Sequence, residues 1–255
     1  MMSEAKSRPL LTKVYWLEQT EADVPPDDNW LGASEAACLN NLRIPKRRAD
    51  WRLGRWTAKR AVSICLNTPG DPKTLAGIKI RPAATGAPEV FLDNQPAAVA
   101  ISLSHSNGTA LCAVAPSGTE LGCDLEAIES RSDAFIADYF TSEEQALIAR
   151  APALERWGLL ALLWSAKESA LKALSEGLRL DTRSVTVSLL ESAPPSAPDA
   201  EETAPTFTQS RSIWHPLEVH CISGQVFQGW WGQTGNLLQT VVAAPAPARP
   251  ILLKV

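Results

Sequence analysis

Histidine is scarce: three in 255 residues. The five cysteines are scattered at positions 38, 65, 112, 123 and 221, with no C-x-x-C pair among them. A zinc site therefore has no framework here, and the thiols read as reduced core residues of a cytosolic protein. No apolar run approaches the length of a membrane span. The opening MMSEAKSRPLLTKVYW has neither a signal-peptide h-region nor a small-residue cleavage site. There is no P-loop, no kinase motif and no G-x-S-x-G elbow. A surplus of positive charge is missing too: the formal net charge is −4, which argues against general attraction to nucleic acid.

What is present is an ordinary globular composition, 45% hydrophobic and 20% charged. That is enough apolar material for one large core or two small ones. A strand is expected at residues 11–17 and a long helix at 45–66, with Pro45 in its first turn. Short strands follow in GIKIRP, EVFL, AVAISLS, TALCAVA and ELGCDLE. The second half repeats the plan, with a helix-rich stretch over 142–176 and then the strands SVTVSLL, LEVHCIS, VFQGWW and LLQTVVAA. This predicts an α+β fold of two similar halves, 1–115 and 116–250, alike in layout with negligible identity between them. A Pro/Ala/Ser-rich acidic stretch at 191–210 reads as a mobile surface insertion.

Four constellations carry chemistry. In LGCDLE, Asp124 and Glu126 stand two apart, so on a strand both face one side. They form either a solvated edge or a pair of hard oxygen ligands for a divalent cation. In WSAKESALKAL, Lys167 falls inside the stripe of Leu160, Leu163, Trp164, Leu171 and Leu174, at about 100° per residue. It either snorkels outward or faces an anion across a cleft. Glu168 and Lys172 are a surface pair or something more. A basic helix face holds Arg48, Arg52, Arg55 and Lys59, suited to phosphate or merely solvated. Finally Ser104-His105-Ser106 ends a strand; alternation of faces prevents a Ser–His dyad, leaving His105 as a turn residue or an anion contact.

Taken together and in this order, these elements resemble the 4′-phosphopantetheinyl transferases of the longer Sfp type. The G-x-D-x-E motif corresponds to Gly122, Asp124 and Glu126, and W-x-x-K-E-x-x-x-K to Trp164, Lys167, Glu168 and Lys172. The S-H-S element corresponds to residues 104–106, and F-[ST]-x-x-E to Phe140 through Glu144. The similarity runs over residues 43–180. It implies two pseudo-symmetric halves, each a long helix on a small antiparallel sheet, with coenzyme A in the cleft between them. It implies transfer of phosphopantetheine from coenzyme A to a serine of an apo carrier protein, by a cytoplasmic monomer with no nucleic-acid or membrane partner. It further implies Mg²⁺ on Asp124, Glu126 and Glu168, with Glu168 and Lys172 catalytic. Coenzyme A would be held by Arg47, Arg48, Arg55, Ser104, His105, Lys167 and Lys172, and Glu144 is a further acidic candidate. In one respect the sequence departs from the pattern: a G-K-P turn is here Gly86-Ala87-Pro88, without its cation.

Overall fold

A computed structural model describes residues 11–190 and 213–255. The expected insertion at 191–210 lies outside the described residues. The first half runs β1 (Tyr15–Thr20), α1 (Ala33–Asn41), α2 (Pro45–Cys65), α3 (Pro72–Gly77), β2 (Ile78–Pro82), β3 (Pro88–Leu92), β4 (Gln95–Pro96), β5 (Val99–Ser106) and β6 (Thr109–Pro116). The second runs β7 (Glu120–Ala127), α4 (Asp133–Tyr139), α5 (Ser142–Arg150), α6 (Arg156–Ala173), β8 (Val185–Leu189), β9 (His215–Cys221), β10 (Val226–Thr234) and β11 (Leu237–Ala244), and β12 (Ile251–Leu252) follows. The expected strands and the two long helices are all present. The short helices α1, α3 and α4 went unpredicted because each is too short to display a period.

One sheet has the order β12-β1-β6-β5, a second β7-β11-β10-β9-β8, and a third, β2-β3-β4, flanks the first. The proline at N1 of α2 costs nothing, because that N–H has no helical partner anyway. From there α2 buries Ala58, Ala61 and Val62 beneath the first sheet. The second long helix, α6, is buried along most of its length between its own sheet and α4–α5. Between the halves lies a shared core of Trp16, Leu111 and Ala113 against Cys123, Leu125 and Val241. The Cys123 N–H also donates to Ser102 Oγ at 2.9 Å, tying β7 to β5. β12 pairs in parallel with β1, and Leu253 sits in the first core, so residues 251–253 cross back to the first half.

The halves share more than layout. Trp56-Thr57-Ala58-Lys59-Arg60 on α2 recurs as Trp164-Ser165-Ala166-Lys167-Glu168 on α6. Lys59 is fully buried, 2.5 Å from Glu35, and donates to Trp30 O (3.2 Å) and Leu75 O (2.9 Å). Lys167 is fully buried too, 2.7 Å from Glu144, and donates to Thr182 O (2.9 Å) and Val185 O (2.6 Å). Each glutamate is the third residue of the short helix before the long one. Each also accepts from its helix's N-cap N–H, Gly32 at 3.1 Å and Thr141 at 3.0 Å. Each accepts again from the middle of the next strand, Ile80 N–H or Val187 N–H, both at 3.4 Å. Three of these five positions are identical, a local repeat on top of the shared layout. The repeat corrects Lys167, which neither snorkels nor lines a cleft. All three of its N–H donors are consumed inside the second half, and Glu144 is its counter-ion. Burial pulls the Lys167 pKa down while Glu144 opposes the shift.

Candidate active site

The site begins with a contact that only glycine permits. A Cβ on Gly122 would stand 1.7 Å from Ser169 O and 2.9 Å from Ala173 N, so α6 lies with its backbone directly on β7. Asp124 and Glu126, on one face of β7, therefore meet Glu168 and Lys172, which are one helical turn apart on α6. Lys172 Nζ is 2.6 Å from Asp124 Oδ1, 3.1 Å from Cys123 O and 3.7 Å from Glu168. Ser104 Oγ donates to the same Asp124 oxygen at 2.8 Å, whereas Asp124 Oδ2 is buried without a partner. Glu126 Oε1 accepts from the Trp164 indole at 3.1 Å, and its Oε2 is 3.3 Å from Arg131.

Crowding of like charges in a half-buried place sets the electrostatics. Burial first, and Asp124 second, push Glu126 up to about 7. Glu168 is pushed up to about 7 by the same two causes, with Lys172 opposing. Burial drives the Lys172 ammonium down, but Asp124 and Glu168 outweigh it and the net shift is upward. Such a set calls for further positive charge. As the side chains stand, no three Asp, Glu, His or Cys among the described residues are grouped closely enough to hold a metal ion. Three contacts account for that: Glu126 is engaged by Trp164 and by Arg131, and Lys172 covers one oxygen of Asp124. The donor set itself fits a hard divalent cation, being carboxylate oxygen throughout with one oxygen, Asp124 Oδ2, buried and unpartnered.

Lys172 also lines a cleft of about 860 Å³ between the halves. Its other cations are Arg55 on α2, Arg81 at the end of β2 and Arg179 beyond α6. The Gly86-Ala87-Pro88 turn forms part of the wall, and Arg179 Nη1 reaches across to Thr85 O at 2.8 Å. A cation from the second half thus stands at the turn that lacks its lysine. Of the three arginines expected to bind coenzyme A, only Arg55 lines the cleft. Arg47 is exposed, near the start of α2. Arg48 is turned away, to Leu39 O at 2.7 Å and Asp28 at 3.8 Å. Arg52 donates to Asp28 at 2.8 Å and Pro25 O at 2.7 Å, so much of the basic face of α2 is spent within the first half. His105 is exposed and lies on the face of β5 opposite Ser102 and Ser104. Arg81, Arg131 and Arg179 were missed in the sequence; Arg131 and Arg179 lie beyond β7 and α6, whose motifs were recognised, and Arg81 lies within β2, which carries no such motif.

An α+β molecule with carboxylates and a lysine gathered beside an interhalf cleft has the parts of a group-transfer enzyme acting on a phosphorylated substrate. Comparison with known families agrees. Residues 120–222 match the family model described as the 4′-phosphopantetheinyl transferase superfamily, so a domain of that transferase superfamily is present in the chain. The matched stretch contains Gly122, Asp124, Glu126, Trp164, Glu168 and Lys172. No curated protein matches the chain.

Proposed function

We propose that the protein is an Sfp-type 4′-phosphopantetheinyl transferase of the holo-acyl-carrier-protein synthase kind. It passes phosphopantetheine from coenzyme A to a serine of an apo acyl or peptidyl carrier protein and releases 3′,5′-ADP. The observation that carries this reading is the convergence of Asp124, Glu126, Glu168 and Lys172 at the cleft, inside the stretch that matches the superfamily. Coenzyme A lies in the cleft, its pyrophosphate toward Lys172 and its nucleotide phosphate among Arg55, Arg81 and Arg179.

Asp124, Glu126 and Glu168 are the residues that would hold Mg²⁺, which when bound neutralises charge on the pyrophosphate oxygens. Glu168, beside Lys172 at the cleft, accepts the proton of the incoming serine. The freed serine oxygen attacks the phosphorus bearing pantetheine, and the bond to the ADP oxygen breaks. Lys172 stabilises the charge that collects on the phosphoryl group and on that leaving oxygen. Trp164 orients Glu126 through its indole N–H. We place this activity in a cytoplasmic monomer without nucleic-acid or membrane partners; among the described residues no helix is long and apolar enough to cross a membrane.

The test is direct. The protein is incubated with Mg²⁺, coenzyme A and a panel of apo carrier proteins, and intact masses are read. A phosphopantetheine mass gain on at least one carrier is expected; none on any carrier overturns the assignment.

A further inference from the structure

Glu126 is held at both oxygens. Oε1 accepts from the Trp164 indole at 3.1 Å, and Oε2 is 3.3 Å from Arg131 Nη2. Arg131 stands just past the end of β7. Its Nη1 is 3.2 Å from Glu129, and its guanidinium lies over the Phe135 ring at 5.4 Å. Phe135 meets the Trp164 ring edge-on at 4.9 Å. Glu126, Arg131, Phe135 and Trp164 therefore close a ring of contacts that engages both oxygens of the Glu126 carboxylate. Two cations, Lys172 and Arg131, already face three carboxylates, yet Asp124 Oδ2 has no partner. A divalent cation beside Asp124 attracts Glu126 and repels Arg131. Glu129, 54% exposed and already within reach of the other arm of the guanidinium, offers Arg131 a place to go with little movement.

The geometry points to Arg131 as a positioning residue: it keeps Glu126 turned from the cation site until a divalent cation enters, then gives its pairing wholly to Glu129. This rests on the reading of Asp124, Glu126 and Glu168 as magnesium carboxylates. It accounts for a carboxylate set whose donors suit a metal while their resting arrangement does not. The ring has an anchored side, Trp164 and Phe135 packed among aromatics, and a free side, Arg131 at one-third exposure. Only the free side needs to move.

Mn²⁺ serves as the probe, with the free ion counted by electron paramagnetic resonance on the full chain without coenzyme A. Arg131→Met removes the competitor for Glu126 and is expected to tighten Mn²⁺ binding about threefold, the size of a partly exposed ion pair. Arg131→Lys, which keeps the pairing, stays near wild type. Glu129→Gln weakens Mn²⁺ binding in the wild-type background, because Arg131 then stays on Glu126. The same change has no effect in Arg131→Met. That non-additivity is the signature, since a general field effect of the two charges would add across the cycle. Additive effects, or unchanged or weaker binding in Arg131→Met, overturn the role of Arg131 while leaving the metal site standing. A wild-type protein that binds no Mn²⁺, or binds it equally after Asp124→Ala, overturns the magnesium reading and the inference with it.

Discussion

Lys172 Nζ lies 2.6 Å from Asp124 Oδ1 and 3.7 Å from Glu168, and so joins a strand carboxylate to a helix carboxylate across a junction that Gly122 keeps tight. The ammonium also borders the cleft. Among the described residues it is the one side chain that belongs both to the acidic group and to the space beside it.

Replacing Glu168 by Gln or Lys172 by Ala should cut transfer to a carrier by about 100-fold or more, the scale of a lost general base or of a lost charge stabiliser. Glu168→Gln should shift thermal unfolding little, whereas Lys172→Ala leaves the buried Asp124 carboxylate without its cation and should lower the melting temperature while the fold is kept. Near-normal turnover in either variant would remove that residue from the mechanism. Asp124→Ala should blunt the Mg²⁺ dependence, and an unchanged Mg²⁺ titration would refute it as a ligand.

Glu126 and Glu168 titrate near 7 in the fold against an ordinary 4.5. Between those values the folded chain holds more protons than the unfolded one. The metal-free protein should therefore lose stability as pH rises from about 4.5 to about 7. A divalent cation competes with those protons, so the rise in melting temperature on adding Mg²⁺ should be larger at pH 8 than at pH 6. A Mg²⁺ effect independent of pH would contradict it.

Gly122→Ala places a methyl group inside the α6 backbone, so the helix must lift from β7. The expected loss is about 3 kcal/mol, the upper range for overpacking, with activity falling in parallel because Glu168 and Lys172 ride on the displaced helix. Equilibrium unfolding in urea reads the first effect. A variant as stable as the parent would show that the approach is looser than described.

Lys167→Met strands the buried Glu144 and should cost about 3–5 kcal/mol; adding Glu144→Leu should restore much of it. Lys59→Met and Glu35→Leu should behave alike in the first half. A stable Lys167→Met protein with a raised KM for coenzyme A would instead return Lys167 to the cleft.

Thiol reactivity should single out Cys38, which is exposed. Burial pushes Cys65 and Cys123 up to about 11, and raises Cys112 and Cys221 as well. Peptide mapping after brief labelling at pH 7.5 should find modification at Cys38 alone, with the others reacting after denaturation.

The sequence made the long elements legible, since α2 and α6 have periods and caps and the strands are bounded by turn residues. Asp124 and Glu126 were legible because a spacing of two on a strand dictates a common face. Lys167 was not, because an apolar stripe does not reveal that a glutamate far away in the chain will fill the same hole. The pentapeptide repeat held that answer. Lys59 has no cleft to serve and is buried identically, so the lysine belongs to the frame of each half. What differs is the next residue and the one four beyond it. The first half has Arg60, over Trp56 at 5.7 Å, and Ile64, half-buried against the core, where the second has Glu168 and Lys172. Two of the cleft arginines, Arg81 and Arg179, escaped notice because their neighbourhood is made by segments far apart in the chain, as with Arg179 and Thr85.

The parallel pairing of β12 with β1 has a consequence for how the chain is made. Residues 251–253 complete a sheet and a core whose other members are translated long before them. During synthesis the first half waits with one flank of β1 open while the whole second half emerges. A ribosome-bound chain stopped at residue 245 should therefore present a first half more open to protease than the released protein, even though every residue from 15 to 116 is already outside the tunnel.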